Sequence, residues 1–283
     1  MMKILPPKIT VEDVIENLYI SNVENKKIIE TNGFKRVVKK SERELNDFFC
    51  QRDLSSKNPL YPKKSKPFSV ALGNKKRVTV KKDKMHTLYN RLRGGAWGNF
   101  KKYFYPLHES KCAYCGVLHA GTLDHIFPKE TYYTFSIIPS NLVRSCSYCN
   151  GKKNTFVSEI MVYYPYNEKP LYDFLQVKNL KVDNSGLNTE MEKISPAVYE
   201  DYINKLSLKD RLADIIAEEI TPLIASFSKI YDINSDYELF IEELKHHKSV
   251  TLSRKYLEDA LDKLDTDDLK AGIVDLVFEL LNQ

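Results

Sequence analysis

Two Cys-x2-Cys pairs, Cys112-Ala-Tyr-Cys115 and Cys146-Ser-Tyr-Cys149, stand thirty residues apart. No other feature limits the fold so strongly. Each pair sets two thiolates on one tight turn, and four thiolates fill a tetrahedral Zn²⁺ shell with no position open for water. The pairs predict a closed structural zinc site on Cys112, Cys115, Cys146 and Cys149, with a small module folded around it. The fifth cysteine, Cys50, lies beside Phe48 and Phe49 and reads as a buried thiol. An odd cysteine count in a chain of this size argues against a disulfide framework.

Between and after the pairs lie Asp124, His125, Asn141 and Asn150. Residues 122–126 read as a short strand, so Asp124 and His125 point to opposite faces. Asn150 follows Cys149 at the start of a predicted helix. Lys152 and Lys153 fall in its first turn, where they oppose the helix dipole. An anion meeting them there would offset that cost.

Cys112-x-x-Cys115, Asp124-His125-Ile-x-Pro128-Lys129, Asn141-Leu142, Cys146-x-x-Cys149-Asn150 and Lys153 together resemble the HNH endonuclease family in its zinc-stapled ββα-metal form. The likeness covers residues 110–156, and Asn150 stands where the name-giving pattern has a second histidine. The resemblance implies His125 as the general base, with Asp124 and the Asn150 oxygen holding a catalytic Mg²⁺ or Mn²⁺. It implies that Asn141 ties the loop and orients His125. It makes Lys129, Arg144, Lys152 and Lys153 candidate phosphate contacts. The implied activity is hydrolysis of DNA phosphodiester bonds with low or structure-based sequence specificity. The run from Thr122 to Leu142, with Tyr164-Pro-Tyr166, is also similar to HNH effectors of anti-phage systems that partner an ATPase in Septu-like operons. The alternatives are a zinc-stapled nucleic-acid-binding module without chemistry and a restriction or repair nuclease.

Charge divides the 283 residues unevenly. Residues 34–102 hold 20 Lys/Arg against 5 Asp/Glu, whereas residues 183–283 hold 11 against 22. The basic block predicts contact with a polyanion, and the acidic end is a candidate surface for a partner protein. The start lacks a signal-peptide apolar core and no run is long enough to span a membrane, so a cytoplasmic protein is expected.

Three segments follow from this pattern. Residues 1–105 form a basic, mostly helical region; residues 106–182 form the zinc-stapled module with an aromatic extension; residues 183–283 form an acidic helical region. The predicted fold class is α+β, the ββα module being embedded between an α-rich start and an all-α C-terminal bundle. Thr10 caps a helix that reaches toward Ile29, and Ser41-Glu-Arg-Glu44 reads as a capping box opening a short helix. Residues 55–69, with three prolines, are expected to be irregular, and residues 75–80 to form a strand. Residues 84–93 and 100–105 read as helices on either side of a glycine turn that packs Trp97. Ser195-Pro196, Ser207, Ser235, Thr251 and Thr266 mark later helix starts.

Overall fold

The structure is a computed structural model that describes residues 7–17, 23–50, 61–73, 76–93, 111–166, 168–183, 186–193, 199–227, 229–230 and 235–246. The features expected at Trp97, residues 100–105, Ser195-Pro196, Thr251 and Thr266 lie outside the described residues. The chain divides into two compact units, Met1–Pro170 and Leu171–Gln283, a division that does not coincide with segment ends at 105 and 182. Content is mixed α and β, with three separate two-stranded antiparallel sheets among the described residues. No described helix is long and apolar enough to cross a membrane.

In the first unit, α1 (Val11–Asn17) opens on a reciprocal capping box. The Thr10 hydroxyl accepts from the Asp13 amide at 3.2 Å, and the Asp13 carboxylate accepts from the Thr10 amide at 2.7 Å. Helices α2 (Val23–Ile29) and α3 (Asn32–Cys50) follow. The Thr31 hydroxyl caps α3 by accepting from the Phe34 amide at 3.1 Å. Ser41 therefore opens no helix; it lies buried inside α3. Phe34, Val38, Ser41, Leu45 and Phe49 recur at three- and four-residue intervals and are all buried, so the helix runs through the local capping signal. Cys50 ends this helix and is exposed rather than buried.

Strands β1 (Phe68–Leu72) and β2 (Lys76–Val80) form a hairpin with Val70 opposite Val78. Its turn includes Gly73 at φ +74°, a conformation that favours glycine. Helix α4 (Lys82–Arg93) buries Met85, Leu88, Tyr89 and Leu92 along one stripe. Strands β3 (Thr122–His125) and β4 (Leu142–Ser145) pair antiparallel, His125 opposite Leu142 and Thr122 opposite Ser145. Helix α5 (Ser147–Lys153) completes a β-β-α unit; it starts earlier than expected, so Lys152 and Lys153 lie in its last turn and complement its dipole instead of opposing it.

Two 3₁₀ turns, Tyr133–Phe135 and Pro139–Asn141, shape the loop between β3 and β4. Phe127 fills that loop, its ring centroid 5.3 Å from Phe48, 5.0 Å from Tyr132 and 6.0 Å from Phe135. Phe49 stacks on Tyr164 at 3.6 Å. One aromatic cluster thus fastens α3 and the Tyr164 segment to the loop between β3 and β4.

The second unit corrects the expected all-α C-terminal region. Strands β5 (Leu175–Asp183) and β6 (Gly186–Lys193) form a long hairpin with an irregular register between Val177 and Asn179. Helices α6 (Glu200–Lys205), α7 (Leu208–Phe227) and α8 (Tyr237–His246) follow. Helix α7 packs on β6. It buries Leu208, Leu212, Ile215, Ile216, Ile220, Ile224 and Phe227, and this stripe carries the helix past Pro222 despite the lost backbone bond. Phe240 of α8 meets Phe227 edge-on at 6.1 Å.

Candidate metal centre

The four cysteines meet at the base of the β-β-α unit. Their sulfurs all lie within 4.8 Å of one another, all four residues are buried, and none forms a disulfide. The first knuckle is drawn by the Gly116 amide donating to the Cys112 carbonyl at 2.8 Å, with Gly116 at φ +68°. The second is drawn by the Cys149 amide donating to the Cys146 sulfur at 3.3 Å, which also caps α5. Burial lifts the Cys112 thiol well above its ordinary value, whereas hydrogen bonds from the neighbouring sulfurs pull Cys146 down. A tetrahedron with Zn–S bonds of about 2.3 Å has sulfur–sulfur edges of roughly 3.8 Å. That fits inside the observed spread, so this cluster could hold a zinc ion.

A buried polar site adjoins it. Asp124 and His125 are 6% and 5% exposed, although both are strand residues of polar type. The Asp124 Oδ2 accepts from the Tyr114 hydroxyl at 2.8 Å and lies 3.1 Å from the Lys153 ammonium. Lys153 also donates to the His125 carbonyl at 2.7 Å and is fully buried. The Asn150 amide nitrogen donates to the Thr122 hydroxyl at 3.1 Å. Asn150 and Lys153, three apart on α5, thus meet Thr122 and Asp124, two apart on β3. Both pairs share one face of their element, which is why a single helix can reach both strand positions.

His125 faces the other way. Its Nε2 donates to the Ser136 carbonyl at 3.0 Å, and Tyr89 of α4 presses on its ring at 4.4 Å between centroids. A carbonyl oxygen only accepts, so Nε2 carries the hydrogen and the lone pair resides on Nδ1. Burial pulls the imidazole down to about 4, against the opposing pull of the Asp124 carboxylate, so the ring is neutral at pH 7.

Asn141 is fully buried beneath the loop. Its Oδ1 accepts from the Phe127 amide at 2.8 Å, and its Nδ2 donates to the carbonyls of Phe127 at 3.0 Å and Phe135 at 3.3 Å. Phe135 precedes Ser136, so this amide sets the backbone that in turn sets the His125 ring.

The four residues expected to touch phosphate part company. Arg144 is 2% exposed on β4, and Lys153 is wholly enclosed with Asp124 as its counter-charge, so neither is presented to an incoming strand. Lys129 is paired with Glu130 at 2.7 Å near the surface, and Lys152 is exposed over the Tyr148 ring. Three supports escape a sequence reading: Tyr114, Ser136 and Tyr89. Tyr114 could have been noticed between two ligand cysteines. The Ser136 carbonyl and the Tyr89 ring carry no local signal.

The Lys153–Asp124 pair gives a direct test of this packing. Breaking a buried ion pair by removing one member costs about 3–5 kcal/mol. Lys153→Met is expected to lose stability of that order in urea unfolding, since the Asp124 charge stays behind in a closed site. A loss under about 1 kcal/mol would mean that the carboxylate finds other compensation.

No family model matches the chain, and no solved structure matches it. It is similar to Protein ea31 of Escherichia phage lambda, with 37% identity over 67 residues. That stretch covers 22% of this chain and 23% of the phage protein.

Proposed function

We propose that the protein is a metal-dependent endonuclease of the HNH type, hydrolysing DNA phosphodiester bonds with little sequence preference. The observation that carries this reading is His125: a neutral imidazole with its tautomer held by the Ser136 carbonyl, next in sequence to a carboxylate and seated on a cysteine-framed β-β-α unit. A neutral ring with a lone pair on Nδ1 is the form a general base needs to take a proton from water.

Asp124 and Asn150 are the residues that would hold Mg²⁺ or Mn²⁺. The Asp124 Oδ2 is engaged by Tyr114 and Lys153, which leaves Oδ1; the Asn150 nitrogen is engaged by β3, which leaves its oxygen. Two hard oxygens with water completing the shell suit either ion. When bound, the ion supplies charge stabilisation at the scissile phosphate and the leaving oxygen. Tyr114 and Lys153 hold the Asp124 carboxylate in orientation, and Asn141 keeps His125 in place through the loop.

The biological setting belongs to the same proposal. An anti-phage effector gated by an ATPase or another defence protein would use the acidic residues 183–283 for docking, a role supported by their 22 Asp/Glu. For the chemistry, supercoiled plasmid is expected to be nicked with added Mg²⁺ or Mn²⁺ and left intact without either. If supercoiled, linear, single-stranded and branched DNA all survive every divalent ion tried, the nuclease reading fails.

A further inference from the structure

The loop that seats His125 is gripped from two sides by lysine-rich segments. On one side runs the irregular stretch Tyr61-Pro-Lys-Lys-Ser-Lys-Pro67. It is tied down along its length. The Tyr61 hydroxyl donates to the Ser158 carbonyl, and the Lys63 amide donates to the Glu44 carboxylate at 2.9 Å. The Ser65 amide donates to the Thr131 carbonyl at 3.1 Å, the Ser65 and Thr134 hydroxyls are 2.8 Å apart, and the Thr134 amide donates to the Ser65 hydroxyl at 3.0 Å. Thr134 is two residues from Ser136, whose carbonyl holds His125.

On the other side stands α4. Its His86 Nε2 donates to the Lys129 carbonyl at 3.0 Å, the Ser136 hydroxyl reaches the Met85 carbonyl at 3.5 Å, and Tyr89 touches the His125 ring. Lys63, Lys64 and Lys66 on the first segment are exposed, as are Lys81 and Lys82 at the start of α4, with Lys84 half-buried. None of these six has an acid partner within salt-bridge distance among the described residues. Lys39 and Lys76, elsewhere in the same unit, are paired with Glu12 and Glu24.

Each of the six lies within one helical turn, or one or two residues, of an atom bonded to the loop at 129–136. Within each segment neighbouring lysines are one or two residues apart, closer than the ~10 Å Debye length at 0.1 M salt, so their charges reinforce one another. The lysines at the start of α4 also oppose its dipole. Asp83 among the α4 lysines and Glu44 at the Lys63 amide offset part of this charge, but six cations against these two acids leave a positive excess that an anion would relieve.

We infer that residues 61–67 and the first turn of α4 form a two-sided cradle for a phosphodiester backbone beside His125. Lysine is a point charge with no fixed hydrogen-bond fork, so the cradle positions a strand and does not read bases. What becomes of the strand rests on the nuclease reading; its capture does not.

The test is fluorescence anisotropy of the full chain with labelled duplex DNA and with single-stranded RNA, over a range of salt and with no added divalent ion. The triple variant Lys64→Gln/Lys66→Gln/Lys82→Gln is compared with wild type and with the ion-paired control Lys39→Gln/Lys76→Gln. A duplex phosphate contact contributes about 0.9 to the slope of log affinity against log salt, so the triple variant is expected to flatten that slope by roughly 2 to 3. The control should keep it, and thermal melts of both variants should stay close to wild type, because Lys64, Lys66, Lys76 and Lys82 are exposed and the half-buried Lys39 takes part only in a surface ion pair, which contributes little to stability. Slope loss with either DNA or RNA upholds the cradle and says which polymer it takes. An unchanged slope in the triple variant overturns it, as does a wild type that binds neither polymer. Failure of the nuclease reading is a different result: strand binding that depends on these lysines, with no cleavage once Mg²⁺ or Mn²⁺ is added.

Discussion

His125→Ala is expected to lower the rate of plasmid nicking by about 10²- to 10⁴-fold, the usual contribution of a general base. The size follows from how completely the fold commits this side chain. It is buried, neutral at working pH, locked in one tautomer by Ser136 and pressed by Tyr89. His86 of α4 reaches the same loop, but its Nε2 is engaged by the Lys129 carbonyl. Removing a buried ring also leaves a cavity, which has its own cost in stability. His125→Asn fills part of that space without a comparable base, and it should share the kinetic defect while melting closer to wild type. Nicking at the wild-type rate by both variants, with fold and metal content intact, would remove His125 from the mechanism.

Cys149→Ser is expected to release the metal and unfold the β-β-α unit. A structural zinc site can be worth about 10–16 kcal/mol to a small module, more than most domains have to spare. Cys149 has two tasks here. It supplies a sulfur to the cluster, and its amide closes the knuckle that begins α5. Cys149→Ser keeps that amide and removes only the sulfur, so α5 is lost through loss of the metal; Asn150 and Lys153 then leave β3 together and the polar site goes with them. Elemental analysis should find one zinc per wild-type chain and less in the variant, with a thermal transition that falls or broadens. A wild type that purifies without stoichiometric metal, and a variant that melts alongside it, would show that the four cysteines pack as thiols.

The parts of this protein that were legible in its sequence are those fixed by short-range geometry. Ligand spacing in Cys112/Cys115 and Cys146/Cys149 is a property of the local chain, and the four sulfurs do converge. The capping box at Thr10 is equally local, and it is present. Where two local signals compete, the sequence alone does not rank them. Ser41-Glu-Arg-Glu44 has the letters of a capping box, yet burial of Phe34, Val38, Leu45 and Phe49 along one side of α3 outweighs it. The hairpin β5–β6 was missed because its register breaks between Val177 and Asn179, which blurs the two-residue alternation that identifies a strand.

The polar site divides along the same line. Sequence by itself named Asp124, His125, Asn141 and Asn150, because their types and spacing around two knuckles are uncommon. Only the tertiary structure decided which charges face outward. Lys153 and Arg144 look like surface cations in one dimension and are enclosed in three. Lys64, Lys66 and Lys82, more than forty positions before His125, are drawn up beside its loop by the bonds of Ser65, Met85 and His86. Spacing along the chain sets which atoms can bind one metal. Burial and charge pairing depend on what the rest of the chain folds against them, and no local pattern records that.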